Sequence, residues 1–228
     1  MKISIVIPIR KGSQRVKHKN TRAFTQEGKS LTEIKTEQLL KIQGVDEIVF
    51  TTDDDVAIKQ IKKIAAGDNR VKIDVRPDEL CSSTTIVKDL IDYMTTITKG
   101  DVIMWLHVTS PLVNEKDYEK ALEKYFNSID EGYDSLMSVA EIQQFLWSKK
   151  TNKIINTDDT VNKWPNTQDL EPLYEVTHAF YVNSRDNYLK MHDRIGIKPY
   201  LYITKNEKNV DVDHESDFEF AQKLYQLV

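Results

Sequence analysis

Between Arg10 and Asn20 the chain places Arg10, Lys11, Arg15, Lys17 and Lys19 around one Gly12-Ser13 corner. Backbone N–H groups at such a corner can form an anion-binding nest; the cations add charge and, from arginine, a forked pair of donors. Far along the chain, Asp211 and Asp213 alternate with Val210 and Val212. In an extended segment that spacing sends both carboxylates off one face. Such a pair can seat Mg²⁺, which takes few protein ligands and completes its shell with water and phosphate oxygens. The same two acids could also serve simply as the acidic start of a helix. Two more stretches carry polar groups: Arg76 and Asp78 with the hydroxyls Ser82, Ser83, Thr84 and Thr85, and then His107, Thr109 and Ser110. A cationic loop, hydroxyls and a divalent ion suit phosphoryl or nucleotidyl transfer, which asks the protein for position and charge neutralisation rather than a nucleophile of its own. His107 would position the hydroxyl of an acceptor or take its proton, and His178 is a weaker candidate of the same kind. Asp53-Asp54-Asp55 invites a metal-binding reading of the type used by nucleotide-sugar glycosyltransferases. It opens a helical pattern, however, where carboxylates cap and favour the dipole. Neither G-x-x-x-x-G-K-[ST] nor G-x-G-x-x-G occurs, which counts against P-loop NTPases and dinucleotide-dependent dehydrogenases.

The elements that must hold these groups follow from periodicity. The β-branched run from Ile3 predicts a buried strand stopped at Pro8. Ser30-Leu31-Thr32-Glu33 is a capping box leading into a stripe of Leu31, Ile34, Leu39 and Leu40. Further strands are expected over 46–52, 70–75, 101–107, 135–139, 178–182 and 198–203. Between them run helices over 56–66, from Ser83 or Thr84 as cap to about 97, from an Asn114 cap to about 128, from a Ser184 cap, and over 216–227. This alternation argues for a three-layer, Rossmann-like α/β fold with a mostly parallel sheet. Loops 8–20, 76–85 and 107–113 would then meet at the carboxyl edge, where open α/β sheets bind ligands. Residues 141–176 break the alternation with a polar stretch containing Trp147, Trp164, Pro165 and Pro172. A long irregular segment inside a domain is usually functional or an interface. We expect an inserted dimerisation arm there, closing over the site of a core formed by 1–140 and 177–228.

The bulk properties narrow the partners. At 228 residues the chain can bury a full core. Its net charge of −4 gives no global attraction to nucleic acid or to an anionic membrane. A single cysteine, Cys81, precludes an intrachain disulfide and suits a reducing compartment, and nothing nearby would act as its base. The N-terminal apolar run is too short for a signal peptide or a membrane span, so the expected location is the cytoplasm.

The segment from Ile7 to Asn20, I-P-I-R-K-G-S-Q-R-V-K-H-K-N, resembles the signature loop of the CMP-sialic acid synthetase (acylneuraminate cytidylyltransferase) family. Arg76-Pro77-Asp78-Glu79-Leu80 resembles that family's nucleotide-side loop. Leu106-His107-Val108-Thr109-Ser110-Pro111-Leu112 resembles its L-Q-P-T-S-P-L segment, and Val210-Asp211-Val212-Asp213 with Asp217 resembles its metal-binding I-D-I-D ending. A weaker likeness runs from Gln168-Asp169-Leu170 to Ala179-Phe180-Tyr181-Val182. The resemblance implies a nucleotide-diphospho-sugar-transferase-type fold and a homodimer. It implies transfer of CMP from CTP to a hydroxyl of a sialic-acid-like sugar acid for cell-surface glycan synthesis, with Mg²⁺ and release of pyrophosphate. Carried over by position, it implies a triphosphate held by Arg10, Ser13 and Arg15 with Lys19, a nucleoside met by Asn20 and Arg76, and a nucleotide site that also takes in Lys11, Gly12, Asp78 and Ser83. It further implies Mg²⁺ on Asp211 and Asp213, and an acceptor met by His107, Thr109, Ser110, Gln168, Tyr174 and His178. Arg10, Arg15, Lys19, His107 and Asp211 would carry the catalysis. The sequence departs from the family at Gln14, where a lysine is common, at His107, where the family has glutamine, and at Val113, where it often has arginine. It departs again at Asn166-Thr167, where basic residues are common, and at Thr177-His178, where the family has Asn-Gly. The nucleotide half is kept and the acceptor half rewritten, so a different acceptor, a glycosyltransferase or a non-catalytic nucleotide-binding subunit stand as alternatives.

Overall fold

The computed structural model describes residues 1–82, 84–158 and 160–227, without the side chain of residue 206. The first strand, β1 (Ile3–Ile9), is followed by a long loop and by α1 (Leu31–Lys41), then β2 (Glu47–Thr52), α2 (Asp55–Ile64) and β3 (Val71–Val75). Next come α3 (Val87–Ile97), β4 (Val102–Leu106), α4 (Glu115–Asp130) and β5 (Ser135–Ile142). Two short strands, β6 (Trp147–Ser148) and β7 (Lys153–Ile154), form a separate ribbon, after which β8 (Leu173–Ser184), α5 (Arg185–Met191), β9 (Pro199–Thr204) and α6 (Glu215–Tyr225) complete the chain. Capping chemistry explains most helix starts. Ser30 and Glu33 close a reciprocal capping box on α1, Asp54 accepts from Val56 and Ala57 N–H, Asn114 and Asp117 close a box on α4, and Ser184 accepts from Asn187 N–H. The helix α3 departs from expectation. It begins at Val87 with Ile86 as its N-cap and no side-chain cap, so Thr84 does not serve, and Ser83 lies outside the described residues.

The seven-stranded sheet runs β3-β2-β1-β4-β8-β5-β9, parallel throughout except for β8, which is antiparallel to both β4 and β5. Chain order reverses between β1 and β4, which creates the crevice where such sheets take ligands. Alternate residues of β1 divide the core. Ile3, Ile5, Ile7 and Ile9 join the cluster packed on α1, α2, α4 and α6, while Val6 joins Trp105 and Tyr181 beneath Ile91 and Met94 of α3 and Tyr188 of α5. The expected three layers are present. The excursion from the sheet is shorter than 141–176, because β5 continues to Ile142 and β8 already begins at Leu173. Period-2 alternation there is masked by a bulge: Val139 pairs with Val176 and Met137 with Tyr181, leaving Thr177 to Phe180 opposite Ser138.

The C-terminal helix α6 is held against the loop after β1. Val16 is fully buried in the core, and Phe24 packs edge-on against Phe218 and Tyr225 of α6 at 5.3 and 5.6 Å. Arg22 lies over the Phe218 ring and pairs with Glu215. The loop after β4 is clamped from α1 instead. Gln38 Nε2 donates to Pro111 O, and the fully buried Lys35 donates to Ser110 O (3.0 Å) and Val113 O (2.8 Å) while meeting the Tyr118 hydroxyl at 2.5 Å. Burial pushes the Lys35 ammonium down to about 7, against the pull of Asp117 and Glu115. A neutral amine suits the cage, giving two N–H donors to the carbonyls and a lone pair to the tyrosine hydroxyl.

This predicts an unusual pH dependence of stability. Between about pH 7 and the ordinary lysine value the unfolded chain binds the proton that the folded chain has lost, so this site's contribution to stability rises with pH by up to about 1.4 kcal/mol per unit. Urea unfolding at pH 7 and pH 9 should show that rise in the wild type relative to Lys35→Met. Parallel trends in the two proteins would contradict it.

Candidate active site

The loop from β1 crosses the sheet edge with its backbone pinned at several points. Gly12 takes a left-handed φ of 77° and His18 one of 53°, and His18 O accepts from Thr21 and Arg22 N–H. The loop brings Arg10, Ser13, Gln14, Arg15, Lys19 and Asn20 to a cavity of about 380 Å³, closed from the β4 side by His107, Val108 and Thr109. Lys11 and Gly12 are turned away from it. Lys11 N–H donates to Asp53 Oδ1 and its ammonium faces Asp55, so the carboxylates after β2 hold the loop's outer limb. Asp54 is the helix cap, and among the described residues no group of three acidic, histidine or cysteine side chains is arranged to hold a metal.

The C-terminal carboxylates meet this loop directly. Arg15 Nη2 donates to Asp213 Oδ1 at 2.9 Å, and Lys19 Nζ donates to Val212 O at 2.6 Å and lies 3.4 Å from Asp213 Oδ1. Val212 N–H donates to Thr109 O, which joins the segment to the loop after β4. Asp213 N–H and His214 N–H donate to Asp217, which serves the start of α6. Asp211 lies deeper. Its Oδ1 is buried with no hydrogen-bond partner, and burial, reinforced by the charge of Asp213, raises its carboxyl above the ordinary value against Thr109, Lys19 and His178. A buried, unpartnered carboxylate oxygen beside a second carboxylate is a donor set that fits a hard divalent cation. Both acids line a second cavity of about 660 Å³ with His178, Thr177, Glu175 and Asp217.

A third cavity, of about 260 Å³, shares Pro8, Arg10 and His107 with the first and extends toward Arg76, Leu80, Ser82, Val87, Leu90, Trp105 and Arg194. Arg76 forms a wall of it but spends its fork on Thr51 O and Ile9 O, and burial lowers its pKa. Asp78 is exposed in the turn Asp78–Leu80 and lines none of the three cavities. Ser83 is outside the described residues. The Ser110 hydroxyl is buried without a partner under the loop, and Gln168 and Tyr174 sit by the excursion, away from all three cavities.

Of the two roles expected for His107, positioning an acceptor hydroxyl or taking its proton, the surroundings favour the first. Burial, with help from Arg194, His178 and Lys19, pushes its pKa down to about 3. The Trp105 indole N–H donates to its Nε2 at 3.0 Å, so the ring is a neutral imidazole whose proton resides on Nδ1. It can donate a hydrogen bond and has no free basic nitrogen. His178 stands in the bulge of β8 with φ 58°, and its Nδ1 lies 2.5 Å from the Tyr181 hydroxyl. A non-glycine residue held left-handed costs about 1 kcal/mol or more. Arg194 and Tyr181 carry no signal of a site in the sequence; the strand pattern reads Tyr181 as core, and Arg194 sits in an ordinary short connection.

A crevice at the β1–β4 switch point, cationic on one side and bearing paired carboxylates on the other, matches a known sequence family over residues 4–228, that of cytidylyltransferases. The chain belongs to the cytidylyltransferase family. It is 30% identical over 234 residues to a pseudaminic acid cytidylyltransferase of Campylobacter jejuni, covering 100% of this chain and 97% of the relative. To a CMP-N,N'-diacetyllegionaminic acid synthase of Legionella pneumophila it is 26% identical over 241 residues, with 100% and 97% covered. Among solved structures, a CMP:2-keto-3-deoxy-manno-octonic acid synthetase complexed with CTP superposes with a TM-score of 0.68 at 19% identity, covering 100% of this chain and 99% of that one. That last likeness concerns the fold, and it agrees with the mostly parallel three-layer architecture. Membership bears out the resemblance read from the signature loop and from the Asp211-Val212-Asp213 ending of this cytidylyltransferase.

The unpartnered Asp211 charge makes a prediction about the ligand-free protein. Asp211→Asn removes a charge that burial and the neighbouring Asp213 disfavour more than Thr109, Lys19 and His178 favour it, and should raise the melting temperature by about 2–4 °C, the shift expected from about 1 kcal/mol in a chain of this size. Thermal unfolding at pH 7 in the presence of a chelator measures it. A lower melting temperature would mean that Asp211 is stabilised by its surroundings.

Proposed function

We propose that this chain transfers CMP from CTP to a hydroxyl of a nonulosonic, sialic-acid-like sugar acid and releases pyrophosphate. The observation that carries the reading is the convergence of Arg10, Ser13, Arg15 and Lys19 with Asp211 and Asp213 on one crevice in a member of this family. The names of the relatives support a nonulosonic acceptor, with pseudaminic acid the first to try.

In this reading the triphosphate occupies the cationic chamber and the nucleoside the smaller pocket past Arg10 and His107. The acceptor enters from the side of His178 and Thr109. Its hydroxyl oxygen attacks the α-phosphorus as the bond to the β-phosphate oxygen breaks, its proton passes to solvent water, and Arg10, Arg15 and Lys19 stabilise the charge gathering on pyrophosphate. Phosphate oxygens compete with Asp213 for Arg15 and Lys19, which frees that carboxylate. Asp211 and Asp213 would then hold Mg²⁺, which supplies charge neutralisation at the phosphates. Neutral His107 offers Nδ1–H as a donor to a substrate oxygen. The larger cavity is acidic, so an anionic acceptor needs cations from elsewhere. The excursion carries the exposed Lys149, Lys150, Lys153 and Lys163 beside exposed Phe145, Trp147, Val161 and Trp164. A homodimer in which that arm reaches a second copy supplies both cations and apolar cover, with Gln168 and Tyr174 acting there. The lone free Cys81 agrees with work in the cytoplasm, and no helix among the described residues is long and apolar enough to cross a membrane.

Incubation with CTP, Mg²⁺ and pseudaminic, legionaminic or N-acetylneuraminic acid should release pyrophosphate only when nucleotide and acid are both present. Arg10→Ala should raise the KM for CTP about 10- to 100-fold, as expected for lost charge-assisted hydrogen bonds worth roughly 1.5–3 kcal/mol. Asp211→Ala should abolish turnover. Tight CTP binding with no pyrophosphate from any acid would make the chain a nucleotide-binding subunit instead. Light scattering should give a dimer mass, and Trp164→Glu should shift it toward the monomer.

A further inference from the structure

Arg194 lies in the connection between α5 and β9, a segment whose path is fixed from several sides. His192, left-handed at the end of α5, meets Asp92 of α3 through Nδ1 at 2.5 Å. Asn183 Nδ2 donates to Arg194 O at 3.5 Å. Beyond it, Gly196 N–H donates to the Ser135 hydroxyl, and Ile197 and Lys198 N–H donate to the Asp134 carboxylate. Gly196 passes so close that a Cβ would meet the Asp134 carboxylate at 2.2 Å, so a side chain there would displace the carboxylate that holds Ile197 and Lys198 N–H. The segment is built to hold one side chain over the carboxyl edge.

The Arg194 guanidinium rests 4.3 Å from the Tyr181 ring centroid and 5.3 Å from that of Trp105, which fixes its plane. Its Nη1 lies 3.5 Å from His107 Nε2, its only side-chain hydrogen-bond partner among the described residues. That contact is the weaker of two at this nitrogen, which the Trp105 indole already occupies at 3.0 Å. The fork is thus oriented and short of acceptors, beside a cavity it shares with Arg10 and His107. Arg10 and His107 also line the chamber of Ser13, Arg15 and Lys19. A nucleotide that spans both spaces must pass its first phosphate across their common border. A planar guanidinium with free parallel N–H groups suits phosphate oxygens there, by forked recognition that lysine does not reproduce.

We propose that Arg194 contacts the α-phosphoryl group, the centre at which the acceptor attacks; the inference rests on the cytidylyltransferase reading and names a further residue of that site. The test compares cytidine, CMP and CTP as competitors of a fluorescent CTP analogue. Arg194→Gln should weaken CMP and CTP about tenfold to a hundredfold, the range for a lost charge-assisted pair, while cytidine holds within about twofold. Arg194→Lys keeps charge and most of the stacking bulk, and should lose about threefold to tenfold for the two phosphorylated ligands alone. It serves as the deciding variant if the glutamine form unfolds. Equal losses for cytidine and CMP would make Arg194 a nucleoside contact or a packing residue, and unchanged CMP affinity would remove it from the site; either result overturns the proposal. If the wild type binds no CTP, the reading of the whole crevice fails first.

Discussion

The site exists because one ammonium, that of Lys19, joins residues from near opposite ends of the chain. It donates to Val212 O and faces Asp213 while its side chain is only 11% exposed. An exposed ion pair would contribute little. This one is sheltered, adds a charge-assisted bond to a carbonyl, and is backed by burial of Val16 and by the edge-on packing of Phe24 on α6. The cationic and acidic halves of the crevice face each other only when α6 has docked. Formation of the site is therefore coupled to one of the most non-local contacts in the fold.

The departures from low-energy local structure gather at this edge. Asp211 has a buried oxygen with no partner, the Asn20 side-chain oxygen is likewise unpaired, and His178 is held left-handed in a bulge. Each lowers the stability of the free protein, and each is held by surroundings that are otherwise well satisfied: capped helices, a continuous sheet, two closed clusters. Such features persist where surrounding structure over-determines them, and they commonly cluster where a ligand binds. Asp213 shows the complementary case. Its pairing with Arg15 and Lys19 keeps two cations and one carboxylate satisfied in the absence of ligand.

Much of this arrangement was legible in the residues. β4 reads as an uninterrupted apolar run and β1 and β2 as largely apolar ones because both faces are covered, and the caps at Ser30, Asn114 and Ser184 are local signals that tertiary packing left intact. The Arg10–Asn20 loop and the Asp211–Asp213 spacing pointed to the two halves of the crevice. What escaped reading depends on partners distant in sequence. Lys35 and Gln38 are polar in pattern, yet they are buried because the loop after β4 presents carbonyls that need donors. Lys11 belongs to the basic run by composition, but Asp53 and Asp55 turn it away. The neutrality of His107 comes from burial, from an arginine 87 positions later and from an indole two positions earlier. The antiparallel entry of β8 and its early start at Leu173 follow from pairing with β5 around a bulge, which hydrophobic alternation does not encode.

Charge is segregated across the crevice, and the segregation itself constrains the reaction. Arg10, Arg15 and Lys19 gather on the side of the β1 loop, while Glu175, Asp211, Asp213 and Asp217 line the larger cavity. A triphosphate is favoured in the cationic chamber over the larger cavity, where its oxygens would meet carboxylates at a cost that low local dielectric magnifies. An acceptor that is also anionic faces the same field, and alone it would be drawn into the phosphate chamber. On the proposed function, occupation of that chamber by nucleotide would remove the competing site and leave the acceptor the outer cavity, where its charge would have to be met by groups that the nucleotide, a cation or a second chain brings. In the same reading, this layout of charge favours nucleotide entering before the acceptor.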